Sequence, residues 1–343
     1  MFYFLHISKC AGSTFVDLAA RNTTLFRPNA NGNPLNPLTG KRLAFWQWSS
    51  GEQQYLLSSS ICGLIANENV LGHKMQFYEG VTYVTILRDP IDRLFSYYQF
   101  NHERPEKEAS LEDRGRKFVK FLKNEAGFGW RKNSIVTALT YPSRKKNNPN
   151  RLALAKQRLG QFDHVLMMEN LSEQVACLSK HGWTQLGVQW KKASQPGEAA
   201  FRWSAAREAL KDRPRVLDRL LSENQQDLEL YAFACELADQ REIERPQKLP
   251  AQSSRVVPNS TNFEFLIFCA YEAFLNADMQ HCTEILKAAA SSAGAKKWGH
   301  AGDLVAIAIK RFAAPEQAEA ERVARTRLKD AQMSATALPQ SSR

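Results

Sequence analysis

Two short stretches carry the residues best suited to chemistry. The first is Ile7-Ser8-Lys9-Cys10-Ala11-Gly12-Ser13-Thr14. It follows Phe2-Tyr3-Phe4-Leu5-His6, an apolar and aromatic run suited to a buried strand, and precedes a helical stretch, Val16-Asp17-Leu18-Ala19-Ala20. A strand, a loop of small residues holding a lysine, and a helix make a phosphate cradle. Loop and first-turn amides converge on an anion, and the lysine adds a point charge. The nucleoside-triphosphate pattern GxxxxGK[ST] is absent, because here the lysine precedes the small residues. The second stretch is Leu87-Arg88-Asp89-Pro90-Ile91-Asp92-Arg93-Leu94-Phe95-Ser96-Tyr97-Tyr98, after the strand-like run Val81–Leu87. Asp89 suits an N-cap and Pro90 the first helical position. Arg88 then sits at the end of a strand and Ser96 about two turns along a helix. Arginine grips a phosphate through two parallel hydrogen bonds, and a serine hydroxyl can donate beside it. Each stretch taken alone also fits plain solvation, and it is the pair that points to an anion site.

Together the two stretches resemble the sulfotransferases that use 3′-phosphoadenosine 5′-phosphosulfate (PAPS). Residues 7–14 are similar to that family's 5′-phosphosulfate loop, IPKTGGTS, with Ser8 in place of the Pro and Cys10 in place of the Thr. Residues 87–98 are similar to its 3′-phosphate motif, LRDPxxRxxSxY. Within the family the likeness is nearest to the membrane-anchored carbohydrate branch that includes heparan sulfate 2-O-sulfotransferase. Gly72-His73, fifteen residues before Arg88, resembles the Gly-His segment of that branch, in which the His is the catalytic base. The resemblance implies a role for each residue. Lys9 holds the phosphosulfate and neutralises the leaving phosphate oxygen, and Cys10, Ala11, Gly12, Ser13 and Thr14 cradle it. Arg88 and Ser96 bind the 3′-phosphate, and His73 takes the acceptor's proton. An imidazole suits that task because its pKa lies near neutrality. Such in-line displacement requires no metal, and the sequence shows no metal-ligand cluster.

The rest of the chain must position these residues. Its 343 residues can bury a substantial core, and 43% hydrophobic with 24% charged residues is ordinary for a globular protein. A formal charge of +11 favours anionic ligands, including a nucleotide donor or an acidic glycan. Nucleic acid is the rival for such a charge. The densest basic cluster, Arg144-Lys145-Lys146, is short and has no interleaved aromatics, which argues against it. Six scattered cysteines without CxxC spacing suggest a reduced compartment. The first strand begins at residue 2 and no run of eighteen apolar residues occurs, so the expectation is a cytoplasmic protein without a membrane anchor.

Strands separated by helices predict an α/β fold, P-loop-like and three-layered, with a mostly parallel central sheet and a C-terminal helical extension. The expected domains are a sulfotransferase domain over 1–240, a linker over 241–262, a helical region over 263–333 and a disordered tail over 334–343. Residues 22–50 read as a long loop, 52–69 as a helix carrying Leu56, Leu57, Ile61 and Leu64, and 111–124 as a Lys-rich helix with a solvated face. Leu152–Leu159 reads as a helix stopping at Gly160, and Phe162–Asn170 as a strand leading to a helix at 171–180. Asn133 fits either an acceptor-cleft residue or a helix cap, and 141–150 a basic loop. Residues 224–234 resemble the family's closing helix, NxxDxxLYxxA. A P-loop kinase is the first rival reading, disfavoured by the missing GK[ST] and by the lack of an acidic strand end to hold magnesium. A non-catalytic binding protein on the same fold is the second.

Overall fold

The computed structural model describes residues 1–72, 75–102, 111–123, 132–141, 150–190, 210–211, 213–239, 248–250, 260–292, 295, 300 and 302–314. They fall into two compact units, one from 1–34 and 44–256, the other from 35–43 and residues from 257 onward. The first unit is built on a four-stranded parallel sheet, β1 (Phe2–His6), β2 (Leu64–Glu68), β3 (Thr82–Leu87) and β4 (His164–Met167), in the order β2-β1-β3-β4. The expected α/β architecture with a parallel sheet and additional C-terminal helices is therefore present. β1 pairs on one side with β2, Phe2 against Leu64, and on the other with β3, Phe2 against Thr82. β4 continues the sheet beyond β3, with Val84 opposite His164.

β1 is buried on both faces, which explains its continuous apolar run. Phe4 packs on Phe15 of helix α1 (Gly12–Asn22), with ring centroids 4.4 Å apart. The adjacent residue, Tyr3, points to the other face, against Tyr83 at 5.5 Å and Phe45 at 6.2 Å. Helix α3 (Pro90–His102) follows β3 and sets Ile91, Leu94, Phe95 and Tyr98 into a cluster with Phe118, Val119 and Leu122 of α4 (Leu111–Lys123). The expected Lys-rich helix thus has one apolar face in the core. The residues that start α3 behave as read: the Asp89 carboxylate accepts from the amides of Ile91 and Asp92, both at 2.9 Å.

The helix expected over 52–69 is two elements. Helix α2 spans Ser50–Leu57 with a capping box between Ser49 and Glu52, and the chain then turns into β2. The physical reason lies in two places. Ser58-Ser59-Ser60 interrupts the apolar series, and Leu64-Ile65-Ala66 is too short to separate a helical from an extended reading until β1 offers a hydrogen-bonding edge. Helices α5 (Ser134–Thr140) and α6 (Arg151–Leu159) follow, α6 ending at Gly160 as expected. β4 is shorter than its expected span, and residues 171–181 form only short helical turns. The 224–234 segment lies mostly in the helix Gln225–Asp239. Of the basic loop, 142–149 lies outside the described residues, as do 315–343 with the expected tail.

The second unit carries the helices Phe263–Leu275 and Met279–Ala290 and a helical stretch over 302–314. The first two are separated where Ala277 adopts φ 60° and the Asp278 carboxylate accepts from the amide of His281. No helix among the described residues is long and apolar enough to cross a membrane.

Residues 248–250 brace the first unit at the start of its strands. Leu249 exchanges backbone hydrogen bonds with Phe77 and Glu79, both at 2.8 Å. The Lys248 ammonium donates to Val81 O at 2.7 Å and to Asp163 at 2.7 and 2.9 Å, while the same carboxylate accepts from Tyr83 N. Removing the ammonium leaves a half-buried carboxylate short of its partner. Lys248→Ala is expected to lower stability by about 1–3 kcal/mol, read as a shift of the urea midpoint at constant slope.

Candidate active site

All four strands run the same way, so the loops that leave their carboxyl ends gather at one edge of the sheet. The strand order reverses between β1 and β3, the crevice where ligands of such sheets bind. The 8–14 loop leaves β1 there, and Arg88 leaves β3 beside it.

The loop's shape comes from its neighbours. Lys9 and Ala11 both have left-handed backbones, φ 68° and 60°, on either side of the buried Cys10. Ala11 occupies the N-cap of α1 without a side-chain cap, and the first-turn amides of a helix have no intrahelical partner. Gly12 is required by close approach. A Cβ there would lie 1.9 Å from Cδ2 of His6, whose ring is held by a 2.9 Å contact between Nδ1 and Asn31 O. Ser8, where the family pattern has proline, lies against the side chain of Asn69, its amide 2.8 Å from Asn69 Oδ1. Ser13 is half-exposed, and Thr14 is buried.

Lys9 carries its ammonium 4.1 Å from the ring centroid of Phe100, an aromatic that is 63% exposed on α3, one turn beyond Ser96. Arg88 and Ser96 are both half-buried. The two motifs share one electrostatic field, and Cys10 registers it. Burial pushes its thiol up to about 12, the cations of Arg93 and Arg88 oppose that rise, and Glu169 and Asp227 add to it. Cys10 is therefore a neutral thiol, and its side chain reaches inward to Ser8 O.

Several residues of this edge were not singled out from sequence. Arg93 is buried with Nε and Nη2 hydrogen-bonded to nothing among the described residues, although its place inside the LRDPxxRxxSxY pattern was a signal. Glu169, just past β4, accepts from Asp89 N at 3.1 Å. Asp227 is buried and caps α5, accepting from the amides of Ile135 and Val136 at 3.0 and 2.8 Å. Burial raises its carboxyl pKa, against the pull of Arg93 and those amides. Asn133 answers by accepting from Asp227 N at 3.0 Å, a contact at a helix end. Glu68 ends β2, contrary to the expectation that no strand would end in an acid. Its carboxylate accepts from the side chains of Asn31 and Asn33 at 3.0 and 3.4 Å.

His73 and Lys74 lie outside the described residues. The segment before them is firmly held: Leu71 N donates to Ala138 O at 2.8 Å, and Arg158 donates to Gly72 O at 3.2 Å. Among the described residues no group of three or more His, Cys, Asp or Glu side chains is placed to hold a metal ion.

The family model described as the Sulfotransferase family matches residues 1–234 of this chain. The chain belongs to the Sulfotransferase family. Membership implies a transferase, and the family generally takes its sulfuryl group from PAPS. No individually characterised protein matches the chain at a significant level. The matched span contains the whole sheet together with both motifs at its carboxyl edge.

In this sulfotransferase the contact of Gly12 with His6 is open to a direct test. Gly12→Ala forces the His6 ring out of its place, so stability should fall by about 1–3 kcal/mol and the loop should lose its shape. Urea unfolding, together with calorimetric binding of adenosine 3′,5′-bisphosphate, checks both effects. Unchanged values in both would show that the loop relaxes around a methyl group.

Proposed function

We propose that this chain is a PAPS-dependent O-sulfotransferase whose acceptor is a hydroxyl of a carbohydrate or a similar, anionic molecule. One observation carries the reading. The two stretches that resemble the phosphosulfate and 3′-phosphate motifs leave adjacent parallel strands at the strand-order reversal, and Arg88 acts electrostatically on the loop residue Cys10. The net charge of +11 supports an anionic acceptor.

In this reading Arg88 and Ser96 hold the 3′-phosphate, while Lys9 and residues 10–14 hold the 5′-phosphosulfate. The acceptor oxygen attacks sulfur in line with the bond to the 5′-phosphate, the S–O bond to that phosphate breaks, and His73 takes the hydroxyl proton. Lys9 neutralises the charge that develops on the departing phosphate oxygen. Positioning and electrostatics then supply most of the rate, as in phosphoryl transfer. None of the six cysteines is in a disulfide, which supports a reducing, cytoplasm-like compartment.

The direct test is incubation with labelled PAPS and a panel of glycans and simple alcohols. Transferred sulfate is expected on a glycan, and its absence from every acceptor, with donor binding intact, would favour a non-catalytic binding protein. Adenosine 3′,5′-bisphosphate should bind well above AMP, and Arg88→Ala should remove on the order of 2–4 kcal/mol of that binding. Equal affinity for AMP would remove the 3′-phosphate assignment.

His73→Ala should leave bisphosphonucleotide binding nearly intact and lower turnover by about 10²–10⁴-fold. Lys9→Ala should weaken binding and turnover together, because its charge serves both ground and transition states. Turnover and melting temperature measured on the same His73→Ala preparation separate a base from a packing residue. Full activity in a folded variant would take His73 out of the mechanism.

A further inference from the structure

Proline in a loop fixes φ and has no amide proton to satisfy. Where the family pattern has that proline, this chain has Ser8, which frees φ and adds an N–H. The next residue, Lys9, must nevertheless be held at φ 68°, and Ala11 at φ 60°. Left-handed backbones at non-glycine residues persist only where the surroundings over-determine them.

Here the surroundings include Asn69. Its Oδ1 accepts from Ser8 N at 2.8 Å and lies 2.9 Å from the Ser8 hydroxyl, and its Nδ2 lies 2.6 Å from the same hydroxyl. Asn69 is itself anchored. It follows Glu68, the partner of His6 in the sheet, and its own amide donates to His6 O at 2.9 Å. Its φ of 59° is a conformation that asparagine tolerates better than most residues. The side chain therefore starts from a fixed point on β2 and ends on the residue before Lys9.

We propose that Asn69 is a positioning residue of the donor loop, its side-chain amide holding Ser8, and through it Lys9, as the ring of proline does in the family pattern. The consequence for donor binding rests on the function proposed above. The consequence for the loop does not, because Cys10 reports on it independently. That thiol is fully buried two residues beyond Ser8, so it is alkylated only when the loop opens.

The test variant is Asn69→Gly, which removes the amide while allowing the left-handed backbone. Iodoacetamide labelling of the native protein, resolved by peptide mass spectrometry, should show Cys10 modified about tenfold faster. Cys62 and Cys269, also buried, should be labelled at the parental rate. Affinity for adenosine 3′,5′-bisphosphate should fall about tenfold, the loss of one or two net hydrogen bonds. Adding Ser8→Pro to Asn69→Gly should restore both values.

Three results would overturn the proposal. Cys10 could be labelled no faster in Asn69→Gly than in the parent. It could rise in step with Cys62 and Cys269, marking a merely global effect. Or Ser8→Pro could fold yet restore nothing. If the parent protein binds no bisphosphonucleotide, the donor assignment fails, while the labelling result still decides the role of Asn69.

Discussion

Burial of β1 on both of its faces is the constraint on which the site depends. Tyr3, Phe4 and Leu5 are inaccessible to water, and each such side chain contributes about 2–3 kcal/mol through the apolar surface it removes. A slip of one residue would exchange Tyr3 with Phe4 and lose the contacts on both faces at once. The register of β1 against β2 and β3 is therefore unique, and so is the point at which the chain leaves the sheet. The loop over residues 8–14 inherits that precision. It lies between a strand buried on both faces and a helix anchored by Phe15, and His6 packs under its first turn.

Much of this was legible from the residue series. The runs 2–7 and 81–87 read as strands, and Asp89-Pro90 announced the start of α3 to the residue, because β-branching and capping are local properties. What was not legible is pairing at a distance. β2 became a strand only because the edge of β1 was available, and its three decisive apolar residues fit a helix equally well. Asn69 and Ser8 are 61 positions apart, and Asp227 meets the start of α5 from 91 and 92 positions away. No spacing rule connects such residues; the fold does. Arg93 was hidden differently, since its pattern position was visible while its burial was not.

The thiol of Cys10 stays neutral where the family pattern has a hydroxyl, so that side chain contributes volume rather than a donor. The ammonium of Lys9 rests over an exposed phenyl ring, an interaction of about 0.5–1 kcal/mol at such sites. A phosphate group offers the same ammonium a charge-assisted hydrogen bond that is stronger. The ring thus holds the cation at the sheet edge by an interaction weaker than the one an anion would offer.

The grouping of residues 35–43 with the C-terminal helices bears on how the protein can be divided. The family-matched span, 1–234, contains this segment, with its buried Leu38 and Leu43, but none of the helices beyond 257. Within the second unit, Arg311 donates to the carbonyl of Leu38. A fragment trimmed to the matched span would keep two leucines that belong in another core and expose them to water. The strip 35–43 interrupts the first unit's sequence and belongs to the second unit. The division between the units therefore has no single cutting point in the sequence.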